Sequence, residues 1–180
     1  MLSGAFEHLR EIRATPWEKV TLPKLLGALA AVVVLLGIYL ASDEGWIPIL
    51  DSLNLVFHEA GHPLFSPFGE TLSILGGTLM QLLVPAAVVV ACWTKRQAIG
   101  AALAGVWLFQ NGFNIARYMA DAREQALPLV GGGEHDWGTL FERWGVLSKD
   151  LAYAATVRHL AWIGILASCA WLAWRWHRDR

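Results

Sequence analysis

The sequence predicts an all-α integral membrane protein of about four transmembrane helices plus one shorter helix, and three observations predict it. Of 180 residues, 56% are hydrophobic. Only 16% are charged, where a soluble domain of this size carries about a quarter. The mean hydropathy is +0.44, and the apolar residues fall into long runs that contain no charge. The length suits one compact domain. A net charge of -1 argues against a nucleic-acid partner, so the lipid bilayer is the first partner expected. Cys92 and Cys169 both lie inside apolar runs, form no metal-binding pair of the C-x-x-C kind, and read as small core residues.

The charge-free runs locate the spans: 25–42, 71–94 and 97–116. Each is long enough to cross a hydrocarbon core of roughly 30 Å at 1.5 Å per residue. A fourth, 151–174, is interrupted by Arg158 and His159 but is otherwise rich in Trp, Leu and Ala. Basic residues set the orientation. Arg10, Arg13, Lys19 and Lys24 precede the first run, Lys95 and Arg96 fill the turn between the second and third, and Arg175, Arg178 and Arg180 follow the fourth. Cytoplasmic placement of these segments puts nine basic and four acidic residues on that side, and five basic and eleven acidic residues on the other. The expectation is a cytoplasmic segment 1–24, a single transmembrane domain 25–174 with outer-side segments 43–70 and 120–150, and a cytoplasmic tail 175–180, in a bacterial inner membrane. The first run reads as a retained anchor, since it exceeds the apolar region of about 7–15 residues in a signal peptide. Leu2, Phe6, Leu9 and Ile12 have the spacing of a short helix on the membrane surface.

Between the first two spans lies His58-Glu59-Ala60-Gly61-His62. Residues four apart share one face of a helix, so the two imidazoles address one point with Glu59 beside them. This is H-E-x-x-H: two histidines bind Zn²⁺ and the glutamate is a general base toward a metal-activated water. A random match in a chain this long is roughly a one-in-a-hundred event or rarer. The bland alternative is a pair of histidines that hydrogen-bond at the membrane boundary. Asp51 and Asn54 lie on the same stripe and are candidates to orient a ligand imidazole through its second nitrogen. Pro63 removes a backbone donor and disfavours helix at the residue before it, so His62 is expected at a kink or in a last turn.

Two histidines need a further ligand. Asp121 follows the third span directly, and His135 and Asp136 follow Gly131-Gly132-Gly133, a run that lets a loop fold back toward the membrane. The charge-derived topology puts all three on the side of His58 and His62. One of them as ligand leaves a coordination position open for chemistry; Asp121 and His135 together close the site. Arg158 and His159 are ionisable groups within a span and so are functional candidates. Arg158 has Asp121, Asp150 or Glu70 as possible partners.

Phe57-His58-Glu59-Ala60-Gly61-His62 resembles the F-x-H-E-x-G-H type signature of the site-2 protease family of intramembrane zinc metalloproteases. Gly77-Thr78-Leu79-Met80-Gln81 is similar to that family's G-x-x-x-N, with Gln in place of Asn. The stretch from Asn114 to Asp121 echoes its N-x-x-P-x-x-P-L-D-G, one step shorter and without the prolines or the final glycine. The likeness runs roughly from Asn54 to Asp121 and implies a compact, divergent relative in which Asp121 is a zinc ligand. Three functions are weighed. The first is a membrane-embedded zinc metallopeptidase (catalytic Glu59; metal ligands His58, His62, Asp121 and His135) that cleaves a membrane-protein segment near the outer interface, with Gln81 or Asn114 binding the substrate backbone or a developing oxyanion. The second is a non-catalytic subunit of a larger membrane complex, with a structural metal or none. Ten tryptophans, many near span ends, suit either interfacial anchoring or partner helices. The third, a haem protein, is the weakest, because two histidines on one helix face cannot be the two axial ligands of one haem.

Overall fold

The computed structural model describes residues 14–42, 45–130 and 133–180. The amphipathic stretch Leu2 to Ile12 lies outside them, as do Asp43, Glu44, Gly131 and Gly132. Six α-helices follow in order: α1 (Leu22–Ala41), α2 (Pro48–Phe65), α3 (Glu70–Thr94), α4 (Ala98–Ala120), α5 (Asp136–Arg143) and α6 (Asp150–Arg178). One 3₁₀ turn (Ser66–Phe68) separates α2 from α3 and another (Leu147–Lys149) precedes α6. The described residues contain no strand.

The four long helices coincide with the four apolar runs and extend beyond them at one end or both, because charged residues such as Lys24, Arg117 and Arg175 continue the terminal turns instead of ending them. Among the described residues, three segments are long and apolar enough to cross a membrane: Leu22–Ala41, Glu70–Thr94 and Leu147–Arg178, with mean hydropathies of 2.3, 2.1 and 1.3. Helix α4 has spanning length, but Gln110, Asn111 and Asn114 dilute its apolar content. It forms the centre of the bundle and packs on α3, α6 and α1. Small residues permit these close approaches. A Cβ on Gly112 would lie 2.9 Å from Ala161 Cβ on α6, and one on Gly105 would lie 2.8 Å from Ser168 Oγ.

The three basic segments meet at one end of this bundle. The Val20 N–H donates to Asp179 Oδ2 at 3.0 Å and the Glu18 N–H to the Arg96 carbonyl at 2.9 Å. Trp17 stands edge-on to Trp93 and Trp171, with the Arg96 and Arg175 guanidinium groups over its ring at 5.0 and 5.4 Å. The opposite end is closed by α5, whose Trp137, Leu140 and Phe141 pack against Ile115, Met119 and Ala154.

Helix α2 occupies most of the segment 43–70 expected on the outer side. It is sunk into the bundle. Its N-terminal turn meets α4 halfway along that helix, where Gln110 Nε2 donates to Asp51 Oδ1 at 2.7 Å. Asp51 also caps the helix, accepting the Ile47 N–H through Oδ2 at 2.7 Å. Asn54 Nδ2 donates to Gln110 Oε1 at 3.2 Å and accepts the Trp107 indole N–H at 2.8 Å through Oδ1. Asp51 and Asn54 are therefore committed to fixing α2 on α4, not to orienting an imidazole. The face they share with His58 and Gly61 is buried, while Ile49, Leu53, Val56 and Leu64 form an exposed apolar stripe on the other face. This reverses the amphipathicity of a water-soluble helix, and it suits an apolar solvent outside and a polar site within.

Pro63 does not break α2, which continues to Phe65. The proline lies in the last turn, so only one internal hydrogen bond is lost. Ser73 Oγ donates to the His62 carbonyl at 3.2 Å from α3, giving that carbonyl a partner near the helix end. Gly69, at φ +103°, occupies a conformation that favours glycine and turns the chain into α3. Gly61 and Gly76 then bring α2 and α3 almost into backbone contact, since a Cβ on Gly61 would lie 2.0 Å from the Gly76 carbonyl oxygen.

Candidate metal centre

His58 and His62 do share a face, and α2 delivers them beside the first residue of α5. His58 Nε2 lies 2.9 Å from Asp136 Oδ2, and His62 Nε2 lies 3.5 Å from the same oxygen. These three residues form a group able to hold a metal ion, with ligand atoms all within 4.8 Å of one another. Tetrahedral zinc with bonds of about 2.0–2.2 Å separates its donors by roughly 3.3–3.5 Å; the His62 separation falls in that range, and the His58 separation is shorter, at hydrogen-bond distance.

The outer nitrogens argue further. His58 Nδ1 faces Gln81 Oε1 at 3.2 Å, and His62 Nδ1 faces the Ser73 carbonyl oxygen at 2.9 Å. Both partners accept hydrogen bonds, so each Nδ1 carries a proton, and in the neutral tautomer Nε2 is the lone-pair atom that faces Asp136. Two such nitrogens and a carboxylate oxygen make a donor set for one cation. A carboxamide and a carbonyl holding the far nitrogens is the usual outer support of metal-bound imidazole. Two nitrogens and a carboxylate suit Zn²⁺ better than Ca²⁺ or Mg²⁺, which take oxygen ligands.

Helix α3 supplies the room for this arrangement. A Cβ on Gly77 would stand 2.6 Å from His58 Cε1 and Nε2, so a glycine is required for the ring to lie flat on α3. One turn further along α3, Gln81 holds His58 and its Nε2 points to Asn114 Oδ1 on α4 at 3.4 Å. The residues Gly77 and Gln81 of the G-x-x-x-Q stretch both serve His58. Gln81 thereby has a positioning task, and with Asn114 it also lines the cleft beside His58.

Asp121 and His135 do not reach His58 or His62. They face each other: His135 Nε2 lies 3.3 Å from Asp121 Oδ2, a charge contact rather than a well-formed hydrogen bond. Asp121 accepts the Ala126 N–H at 2.9 Å and the Leu127 N–H at 3.1 Å, which shapes the turn after α4. His135 is the N-cap of α5 and accepts the Gly138 N–H through Nδ1 at 3.0 Å. Its burial pushes its pKa below the usual histidine value, an effect that nearby Asp121 opposes. Of the three candidates for a further ligand, the structure brings Asp136 to the histidines. The aspartate that the family resemblance put forward, Asp121, forms a structural turn.

Glu59 lies between two clefts. One, of about 360 Å³, has Trp46, Leu55, Leu127, Pro128, Leu129 and Val130 as apolar walls and His58, Gln81, Asn114 and Arg117 as polar ones. The other, of about 410 Å³, runs past His62, Ser73, Glu134 and Asp136. His58, Glu59, Tyr118, Leu129 and Val130 line both. The contribution of Tyr118 was not foreseen; only its position one turn after Asn114 on the same helix signalled it. Arg158 and His159 are exposed on α6, away from this centre. Two carboxylates considered for Arg158 are engaged elsewhere: Asp150 takes Arg123 at 2.7 Å, and Glu70 takes Arg143. No protein-family model matches the chain, nor does any curated protein or solved structure.

Proposed function

We propose that this chain is a membrane-embedded zinc metallopeptidase that hydrolyses a peptide bond in a membrane-protein segment near the outer face of the bilayer. The observation that carries the reading is the convergence of His58 Nε2 and His62 Nε2 on Asp136 Oδ2, with Glu59 in the cleft beside them. Three protein ligands leave a fourth position for chemistry, as in catalytic zinc sites. In this reading α4 is the fourth span, both termini are cytoplasmic, and α2 is an 18-residue helix immersed from the outer side, as its exposed apolar stripe supports. The same residues support a compact, divergent relative of the site-2 proteases in which Asp136 serves as the acidic ligand.

Zinc, when bound, polarises the peptide carbonyl and lowers the pKa of water toward ~7. The chain supplies the remainder. Glu59 accepts a proton as the water oxygen bonds to the carbonyl carbon, then delivers it to the amide nitrogen as the C–N bond breaks, so one water yields one acid and one amine. Leu129 and Val130 line both clefts and suit a substrate strand that lies across the centre with apolar side chains against Trp46 and Leu55. The test is Glu59→Gln in purified protein challenged with membrane-protein segments. Activity should fall about 10²–10⁴-fold with zinc retained. Cleavage that survives the change removes the mechanism, and a stoichiometric partner with no bound zinc would favour the subunit reading.

A further inference from the structure

Tyr118 has no part in the chemistry above, yet it is the α4 side chain that lines both clefts together with His58 and Glu59. Its ring stands edge-on to His58, centroids 5.9 Å apart, and lies 4.1 Å from the ring of His135. Its hydroxyl accepts the backbone N–H of Asp136 at 3.1 Å. A phenol oxygen offers lone pairs and one proton. The amide occupies a lone pair, and among the described residues the hydroxyl proton is donated to no protein group. The same amide fixes where that proton sits, because Asp136 is itself held with its carboxylate against His58 Nε2. The hydroxyl is thus pinned within one side chain's length of the point where the three metal-competent atoms meet, on the wall of the clefts a substrate would occupy.

We propose that Tyr118 is a second catalytic residue, whose O–H donates a hydrogen bond to the scissile carbonyl oxygen as that oxygen gains negative charge. The proposal rests on the hydrolase reading. A preorganised donor of this kind costs no rearrangement during the reaction, and losing one lowers rates by about 10²–10³-fold. Tyr118 transfers no proton; it strengthens one hydrogen bond while Glu59 moves the proton.

The test uses the full chain in detergent, loaded with Co²⁺, and two probes: a phosphinic pseudopeptide flanked by leucine side chains, which mimics the tetrahedral carbon, and the matching ketomethylene pseudopeptide, which does not. Tyr118→Phe should weaken phosphinate binding by about 10²-fold, change ketomethylene binding less than threefold, and leave the Co²⁺ visible spectrum unaltered. Equal affinity of wild type and Tyr118→Phe for the phosphinate overturns the proposal, as does a loss shared equally by the two probes. Replacement of Tyr118 by 3-fluorotyrosine, a stronger donor of the same shape, should tighten the phosphinate and provides the measurement if the Phe variant does not fold. Unchanged or weaker binding in that variant counts against the proposal. Failure of the wild type to bind Co²⁺ would instead overturn the metallopeptidase reading beneath it.

Discussion

His135 stands beside Asp121 much as His58 stands beside Asp136, with nitrogen-to-oxygen separations of 3.3 and 2.9 Å. The two pairs are joined through consecutive residues, His135 and Asp136, but their chemistry differs. At His135 the other ring nitrogen meets a donor, the Gly138 N–H. Its lone pair is consumed, and Nε2 must carry the proton that faces Asp121. At His58 the other nitrogen meets an acceptor, Gln81 Oε1, and His62 meets the Ser73 carbonyl in the same way. Their Nε2 lone pairs remain available. The carboxylates differ likewise: Asp121 accepts two backbone amides of its own turn, while Asp136 Oδ2 faces two imidazoles. A donor or an acceptor behind the ring decides which histidine is built to bind a cation.

That contrast can be broken at several points. Loss of His58 or His62 as alanine removes one of three ligands, and zinc affinity measured by competition with a chelator should fall by 10³-fold or more, the largest effect expected. His135→Ala, the matching change in the other pair, should leave zinc affinity within about tenfold, since His135 faces Asp121 and the Gly138 N–H and not the two ligand histidines. Gly61→Ala would place its Cβ 2.0 Å from the Gly76 carbonyl oxygen, backbone against backbone, and should destabilise the fold by about 3 kcal/mol, visible as a lowered melting temperature in detergent. Gly77→Ala and Gln81→Ala act on His58, one by displacing the ring and one by removing its acceptor. Each should weaken zinc about 10–100-fold while the melting temperature of the zinc-free protein changes little.

The smallest expected effect is one of pH. Because burial lowers the folded-state pKa of His135, the unfolded chain binds the proton first as acid is added. Stability should fall as pH drops below the ordinary histidine value of ~6.5 toward the lower folded value, and it should be unaffected above that window. His135→Gln should remove part of that slope in melting curves of the zinc-free protein between pH 7 and 5. An unchanged slope would show that His135 is not the group responsible.

The helices were legible in the sequence because long charge-free runs mark long apolar helices, and the His58–His62 pair was legible because a spacing of four is helix geometry. The depth of α2 was not. Asp51 and Asn54 look like the polar face of a helix in water until Gln110 and Trp107, more than 50 positions later, are known to receive them; the exposed Ile49, Leu53, Val56 and Leu64 gain their meaning only with that face buried. The choice among Asp121, His135 and Asp136 was also closed to sequence reading. It depends on backbone amides, those of Ala126, Leu127 and Gly138, which any residue but proline supplies and which therefore leave no mark in a pattern of side chains.

The most direct measurement is zinc stoichiometry by elemental analysis of purified Asp136→Asn and Asp121→Asn proteins beside the wild type. One zinc per chain in the wild type and in Asp121→Asn, with none retained by Asp136→Asn, is the expected result. Zinc kept without the Asp136 carboxylate, or lost on changing Asp121, would contradict the assignment of the centre.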